Sequence, residues 1–340
     1  MIKIGNFTLP HGLMLAPMAG VTDRSMRYVC SLFGAEYAVT EMVSAKALVY
    51  EQNSRPSAPA KTASLCVISE DESIPVAVQL FGSEPEFIAA AAELVSTCSY
   101  RGFSGKVPAA IDINMGCPVK KVAGNGEGSA LMKDPGKIFD IVSACVKKTA
   151  LPVTVKLRAG WDDNHLNARE CAVAAEKGGA AAVCVHARTR EQFYRPGIMP
   201  EIIGEVKSAV GIPVFGNGDV TTAGAALKML NETGCDGIAV ARGAIGNPML
   251  FGSIARAMDG KPEEPPSPEE ILRTALLQLD MSVADKGERR GLAECKFTLS
   301  HYVTGLRGAA CARERIMSAA TADEARAALT DFFTARASDI

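Results

Sequence analysis

The sequence has little that would advertise a metal, a disulfide framework or a membrane. Among its 340 residues are ten cysteines without a Cys-x-x-Cys pair and four histidines without ligand-type spacing. A zinc centre and a disulfide scaffold are excluded on that ground, and free thiols point to a reducing cytoplasm. No apolar run approaches the ~20 residues of a membrane span. Residues 1–10 lack the basic-then-apolar order of a secretory signal. Charge of one sign is missing too: Lys and Arg total 36, Asp and Glu 38, and the formal net charge is -2. A nucleic-acid partner would therefore have to meet a local basic patch. No G-x-G-x-x-G follows the first apolar run, which removes the simplest doubly wound dinucleotide-binding fold. The expectation is a soluble, cytoplasmic monomer with no metal, long enough and apolar enough (48% hydrophobic) for one large core and an appendage.

What the sequence does have is a repeated unit of a short apolar run, a polar or Gly-rich loop and a helical pattern. The β-type runs lie at residues 14–16, 37–40, 76–80, 110–114, 153–157, 182–186, 213–216 and 237–241. Helical patterns fit between them at 84–95, 135–148, 167–177 and 221–231, with Asp134 as an N-cap ahead of Pro135. Such alternation, with about eight strands in roughly 250 residues, predicts an α/β fold, a (β/α)8 TIM barrel. Residues 1–258 form that barrel in this reading. Residues 259–266 are a Pro/Glu-rich linker that cannot continue a helix. From Ser267, an N-cap followed by Pro268 and two glutamates, residues 267–340 read as a small helical domain. Its middle carries Lys286, Arg289, Arg290, Lys296, Arg307, Arg313 and Arg315. Such a run is either a solvated helix surface or a nucleic-acid contact.

In a barrel the loops after the strands share one face, so their residues converge. That face would hold Met18, Gln79, Asn114, Cys117, Lys156, His186, Asn217, Gly218 and Arg242. Cys117 lies on a stiff Gly-Cys-Pro loop, either as a small buried hydrophobe or as a working thiol. Lys156 interrupts an apolar run, where an ammonium needs an anion or acceptor. His186 closes another run, as a core histidine or a site residue. The loops Gly216-Asn217-Gly218-Asp219 and Ala241-Arg242-Gly243-Ala244 follow the last two strands and offer backbone N–H groups and a guanidinium. Together they suit a phosphate. A flat cofactor anchored there and crossing the mouth past Gln79 and Lys156 is the outline of an FMN site.

The segments APMAGVTD, VQLFG, DINMGCPVKKV, GSALMKDP, VKLRAGWDD, VHARTREQFYRPG, FGNGDV and ARGAIGNP occur in that order from Ala16 to Pro248. In them the chain resembles the tRNA-dihydrouridine synthases, and most of all their bacterial B-type branch. The resemblance implies an FMN-dependent barrel with a helical tRNA-binding domain, reducing the C5–C6 bond of selected tRNA uridines with NADPH as reductant. It further implies that Ala16, Pro17 and Met18 line the flavin, and that Gln79 meets its pyrimidine edge. Lys156 would lie near N1. His186, Asn217, Gly218, Asp219, Ala241 and Arg242 would hold the ribityl phosphate region. Asn114 would position the uracil and Cys117 would protonate C5. A Lys-His pair and a Trp-Tyr pair are expected in the helical domain, where this chain has Lys296-Phe297 and His301-Tyr302. Two rival readings are an FMN-dependent small-molecule pyrimidine reductase or dehydrogenase and an idle RNA-binding barrel. Binding of bulk tRNA separates the first from the favoured reading, and a flavin absorption band counts against the second.

Overall fold

A computed structural model describes residues 1–52 and 60–337. The chain opens with an antiparallel hairpin, β1 (Ile2–Ile4) and β2 (Phe7–Leu9). Gly5 turns it at φ +53°, pressed so close to Pro152 that a Cβ would meet that ring at 2.7 Å. Eight parallel strands follow: β3 (Leu13–Leu15), β4 (Tyr37–Ser44), β5 (Val76–Phe81), β6 (Ala110–Asn114), β7 (Val153–Gly160), β8 (Ala182–Thr189), β9 (Val214–Asn217) and β10 (Gly237–Val240). Each pairs with the next, and β10 pairs with β3 to close the barrel. Helices α1 (Arg24–Leu32), α2 (Ala45–Gln52), α3 (Pro85–Ser96), α4 (Lys120–Ala123), α5 (Pro135–Val146), α6 (Ala168–Lys177), α7 (Pro200–Ala209), α8 (Ala223–Thr233) and α9 (Leu250–Met258) lie between and after the strands.

Side-chain alternation explains how apolar runs can carry a site. In β6, Ile111 and Ile113 pack outward among the helices, while Ala110 packs inside the barrel. Asp112 and Asn114, on the same side as Ala110, complete the inward set. Likewise Val155 and Leu157 of β7 face the helices, and Thr154, Lys156 and Arg158 alternate with them. The lower interior is apolar, with Met14, Tyr37, Val39, Phe215 and several alanines packed against Ile2, Ile4 and Leu9 of the hairpin. The hairpin therefore plugs one end of the barrel, and the polar inward residues gather toward the other.

Three strands run further than their apolar runs suggest. β4 extends through Ser44, β7 through Gly160 and β8 through Thr189. The extensions bring Met42 and Arg158 to the cavity, and the pairing resumes after a register shift between Val39 and Met42 in β4 and between Arg158 and Gly160 in β7. The hairpin is absent from the sequence-based expectation because two three-residue strands carry almost no periodicity.

The C-terminal helical region comprises α10 (Pro268–Lys286), α11 (Glu288–Tyr302), α12 (Ala309–Ser318) and α13 (Ala322–Ala337). The Ser267 hydroxyl accepts from the Glu270 N–H, as the N-cap reading requires. Leu279, Leu299, Ile316, Leu329 and Phe333 form a core of its own. The region is also tied to the barrel. Gln278 Nε2 lies 3.6 Å from Met26 Sδ of α1, and the Tyr302 hydroxyl donates to Gln278 Oε1 at 2.8 Å. Lys286 pairs with Asp23, and Arg24 pairs with Asp71 and Asp285. Among the described residues no helix is long and apolar enough to cross a membrane, and no group of three or more His, Cys, Asp or Glu could hold a metal ion.

Candidate active site

The open end of the barrel holds a cavity of about 770 Å³, within the range of small-molecule sites. Its lining includes Pro17, Met18, Gln79, Asn114, Cys117, Lys156, His186, Asn217, Gly218, Asp219, Ala241 and Arg242. Twelve of the residues expected at the site thus line one cavity. Ala16 does not line it: fully buried, it packs inside the barrel and donates its backbone N–H to Val240 O at 2.8 Å.

A hydrogen-bonded floor joins the strands. Asp112 accepts from Gln79 Nε2 at 2.7 Å and from the Thr154 hydroxyl at 2.6 Å. Gln79 Oε1 accepts from Asn114 Nδ2 at 2.9 Å, and Asn114 Oδ1 accepts from the Cys117 N–H at 2.9 Å. Across the barrel Lys156 Nζ donates to Asn217 Oδ1 at 3.1 Å, and Asn217 Nδ2 donates to Ala239 O at 2.7 Å. The expected acceptor for the buried ammonium is therefore an amide.

Burial shapes the protonation states here. It lowers the Lys156 ammonium pKa, partly opposed by Cys184 and Asp112. It drives His186 well below the usual imidazole value, helped by Lys156, Arg158, Arg188 and Arg242, so this ring is neutral at physiological pH. Burial raises the Cys117 thiol, against a backbone hydrogen bond and the Arg158 charge, so Cys117 is protonated at neutral pH.

Several site residues were not singled out from sequence. Arg158 is buried and brought down to about 10 by desolvation, and its guanidinium donates to three carbonyls: Gly116 O at 2.7 Å, Thr189 O at 2.8 Å and Phe193 O at 3.1 Å. Its signal was available, since it lies two residues beyond Lys156 on the same inward face. Tyr194 places its ring 4.8 Å from the Arg242 guanidinium and 5.9 Å from that of Arg158. Phe193 stands edge-on to Tyr194 and has a φ of +54°. Phe297, noted in the sequence only as a departure from the expected Lys-His pair, reaches the cavity from α11 with the His301 ring tilted against it at 4.5 Å, a placement that no local pattern reveals.

The late loops suit an anion. Arg242 is half exposed, and its contact with the Asp219 carboxylate, at 3.3 Å, is long. Asp219 is held more closely by Arg188 at 2.6 Å. Gly218 has φ +135° and a Cβ there would approach Ile198 at 3.0 Å; a Cβ on Gly243 would meet Val220 O at 2.0 Å. Glycine is required at both positions by the close packing of the loops themselves, which fixes their backbone at the cavity rim.

The family and the fold of the chain are shared with known proteins. A sequence family described as dihydrouridine synthase matches residues 14–337. The chain is 40% identical to a probable tRNA-dihydrouridine synthase of Rickettsia bellii over 307 residues, 90% of each chain. It is 36% identical to tRNA-dihydrouridine synthase B of Pseudomonas aeruginosa over 339 residues, 98% of this chain and 96% of that one. Among solved structures, an old yellow enzyme homologue from Zymomonas mobilis superposes with a TM-score of 0.50 at 14% identity, covering 79% of this chain and 94% of that one, a likeness of fold.

Proposed function

The chain belongs to the dihydrouridine synthase family of flavin-dependent oxidoreductases, and from that premise we propose that it reduces the C5–C6 bond of uridines in tRNA, with FMN resident, NADPH as reductant and Cys117 as the proton donor. The observation that carries the reading is the convergence of Cys117, Asn114, Lys156 and His186 on one cavity beside the Gly218/Arg242 loops. Residues 1–258 are the catalytic barrel, 259–266 the linker and 267–340 the tRNA-docking domain in this proposal.

The cavity chemistry fits FMN. Arg242 has donors to give a phosphate. Lys156, whose hydrogen bond goes to an amide oxygen and not to a carboxylate, favours electron density gathering over it. Gln79 offers an amide to a heterocyclic edge. When bound, the flavin supplies the two-electron reduction. The chain's own residues do the rest. Asn114 is close enough to Cys117 to orient a uracil against the thiol. Cys117, held protonated by burial, can deliver a proton to C5 from one face. His186, neutral, can donate or accept without adding charge.

The test is direct. Dihydrouridine is mapped in tRNA from cells with and without the gene, and the purified chain is examined for bound FMN. Loss of dihydrouridine at defined positions is expected, with FMN non-covalently bound. Unchanged dihydrouridine at every position would overturn the proposal. Arg242→Ala should lower flavin retention by roughly tenfold or more, the loss of one charge-assisted partner. Full occupancy in that variant would count against the phosphate cradle.

A further inference from the structure

We propose that Asp112 is a positioning residue for Cys117, acting through a relay of fixed polarity that runs Asp112–Gln79–Asn114–Cys117. Only the role of Cys117 as reacting thiol rests on the proposed function.

The relay is dictated from both ends. At one end the backbone N–H groups of Gly116 and Cys117 can only donate. Asn114 Oδ1 therefore faces them, at 3.2 and 2.9 Å, and its Nδ2 is left to face Gln79. Gln79 must then offer Oε1 to Asn114, so its Nε2 points down the barrel. What waits there is an acceptor, Asp112 Oδ2 at 2.7 Å, whose other oxygen accepts from Thr154 at 2.6 Å. An ordinary apolar side chain in that place would leave the Gln79 amide with a buried, unpaired N–H and no fixed end. Every member is buried except Cys117, which is half-buried at the head of the relay. A carboxylate on a strand whose other inward residue below it is Ala110 makes no packing sense. As the lower anchor of the Cys117 loop it does.

The Gly-Cys-Pro loop borrows its stiffness from this anchor. Asn114 accepts from two successive loop N–H groups, and Arg158 grips the loop from the other side through Gly116 O at 2.7 Å. If the lower end of the relay is cut, Gln79 can rotate, Asn114 loses its lock, and the thiol wanders.

The experiment uses the flavin-free full chain, so neither flavin binding nor tRNA enters. Alkylation of Cys117 by iodoacetamide is timed and assigned by peptide mass spectrometry, with the exposed Cys311 on α12 as internal reference. Asp112→Leu should speed Cys117 alkylation by roughly tenfold, the release of one buried hydrogen-bonded anchor, with Cys311 unchanged. Asp112→Asn can still present an oxygen to Gln79 and an N–H to Thr154, and should stay within about twofold of wild type. Gln79→Met cuts the relay in its middle while Asp112 keeps Thr154, and should match Asp112→Leu; it decides the matter if the leucine variant does not fold. A wild-type Cys117 rate in Gln79→Met, or an Asn variant as fast as the cut ones, would overturn the proposal.

Discussion

At the scale of single residues, burial sets the working protonation states. Cys117 keeps its proton at neutral pH, with burial raising the thiol above its ordinary value, so in the proposed reaction it has a proton to give. Its removal should therefore show in only one half of the reaction. Cys117→Ala should leave flavin content and NADPH-driven reduction near wild type, while tRNA-driven reoxidation under anaerobic conditions falls by about 10²–10⁴, the usual worth of a positioned acid. Stopped-flow measurement of both halves is the check; equal slowing of the two would mark Cys117 as a packing residue. His186 gives a stability prediction. Its folded pKa lies well below its unfolded value. Below the unfolded value, near 6.5, the unfolded chain binds a proton that the native chain refuses. The stability from a neutral His186 is therefore complete above about pH 6.5 and declines as pH falls, by up to about 1.4 kcal/mol per unit. Chemical denaturation from pH 7 to 5 should show a shallower loss in His186→Gln than in wild type. Parallel slopes would mean that the ring is protonated in the native state.

At the scale of elements, the inward face of each strand changes from packing to chemistry along its length. The lower interior is sealed by the hairpin β1–β2 rather than by strand residues alone. Ile4, almost wholly buried in that plug, is the place to measure its contribution. Ile4→Ala should lower stability by about 2–5 kcal/mol through lost burial and a residual cavity, read by denaturant midpoint, with flavin affinity unmoved because the site lies at the other end. A flavin affinity that dropped in step would show that the plug also shapes the mouth. The positions of the strands were legible because a strand buried on both faces reads as an apolar run. Lys156 and His186 were legible because each breaks such a run. Asp112 and Arg158 break runs as well, but they look like neighbours of a motif until the pleat shows them inward. The cap at Asp134, which accepts from the Lys137 N–H at 3.2 Å, is legible because its signal is local. The hairpin and Phe297 depend on contacts between distant segments, which periodicity does not carry.

At the scale of the whole molecule, the C-terminal helices bear on the pocket as well as on any RNA. Phe297 lines the cavity, and Gly246 of the barrel lies so close to the α11 backbone that a Cβ would come within 2.4 Å of His301 C. Much of the basic excess there is already engaged: Lys286 with Asp23 and Glu294, Arg290 with Glu294, Arg315 with Asp331. RNA affinity in the proposed reaction should accordingly rest on few phosphate contacts. The log–log dependence of tRNA binding on salt should have a slope of roughly -2 to -4, at about 0.9 per phosphate neutralised. A slope beyond about -7 would require a much wider basic footprint than these ion pairs leave. The closure of the barrel has a consequence in time. β3, at residues 13–15, finds its second neighbour only in β10, at residues 237–240. At about 5–20 residues per second, the ribosome needs roughly 10–45 s to supply that partner. Throughout that interval the nascent chain carries a hydrogen-bonding edge with nothing on it. A synthesis pause or a stop codon before residue 237 should therefore release an open sheet that aggregates or recruits a chaperone, whereas full-length chains close their own edge on completion.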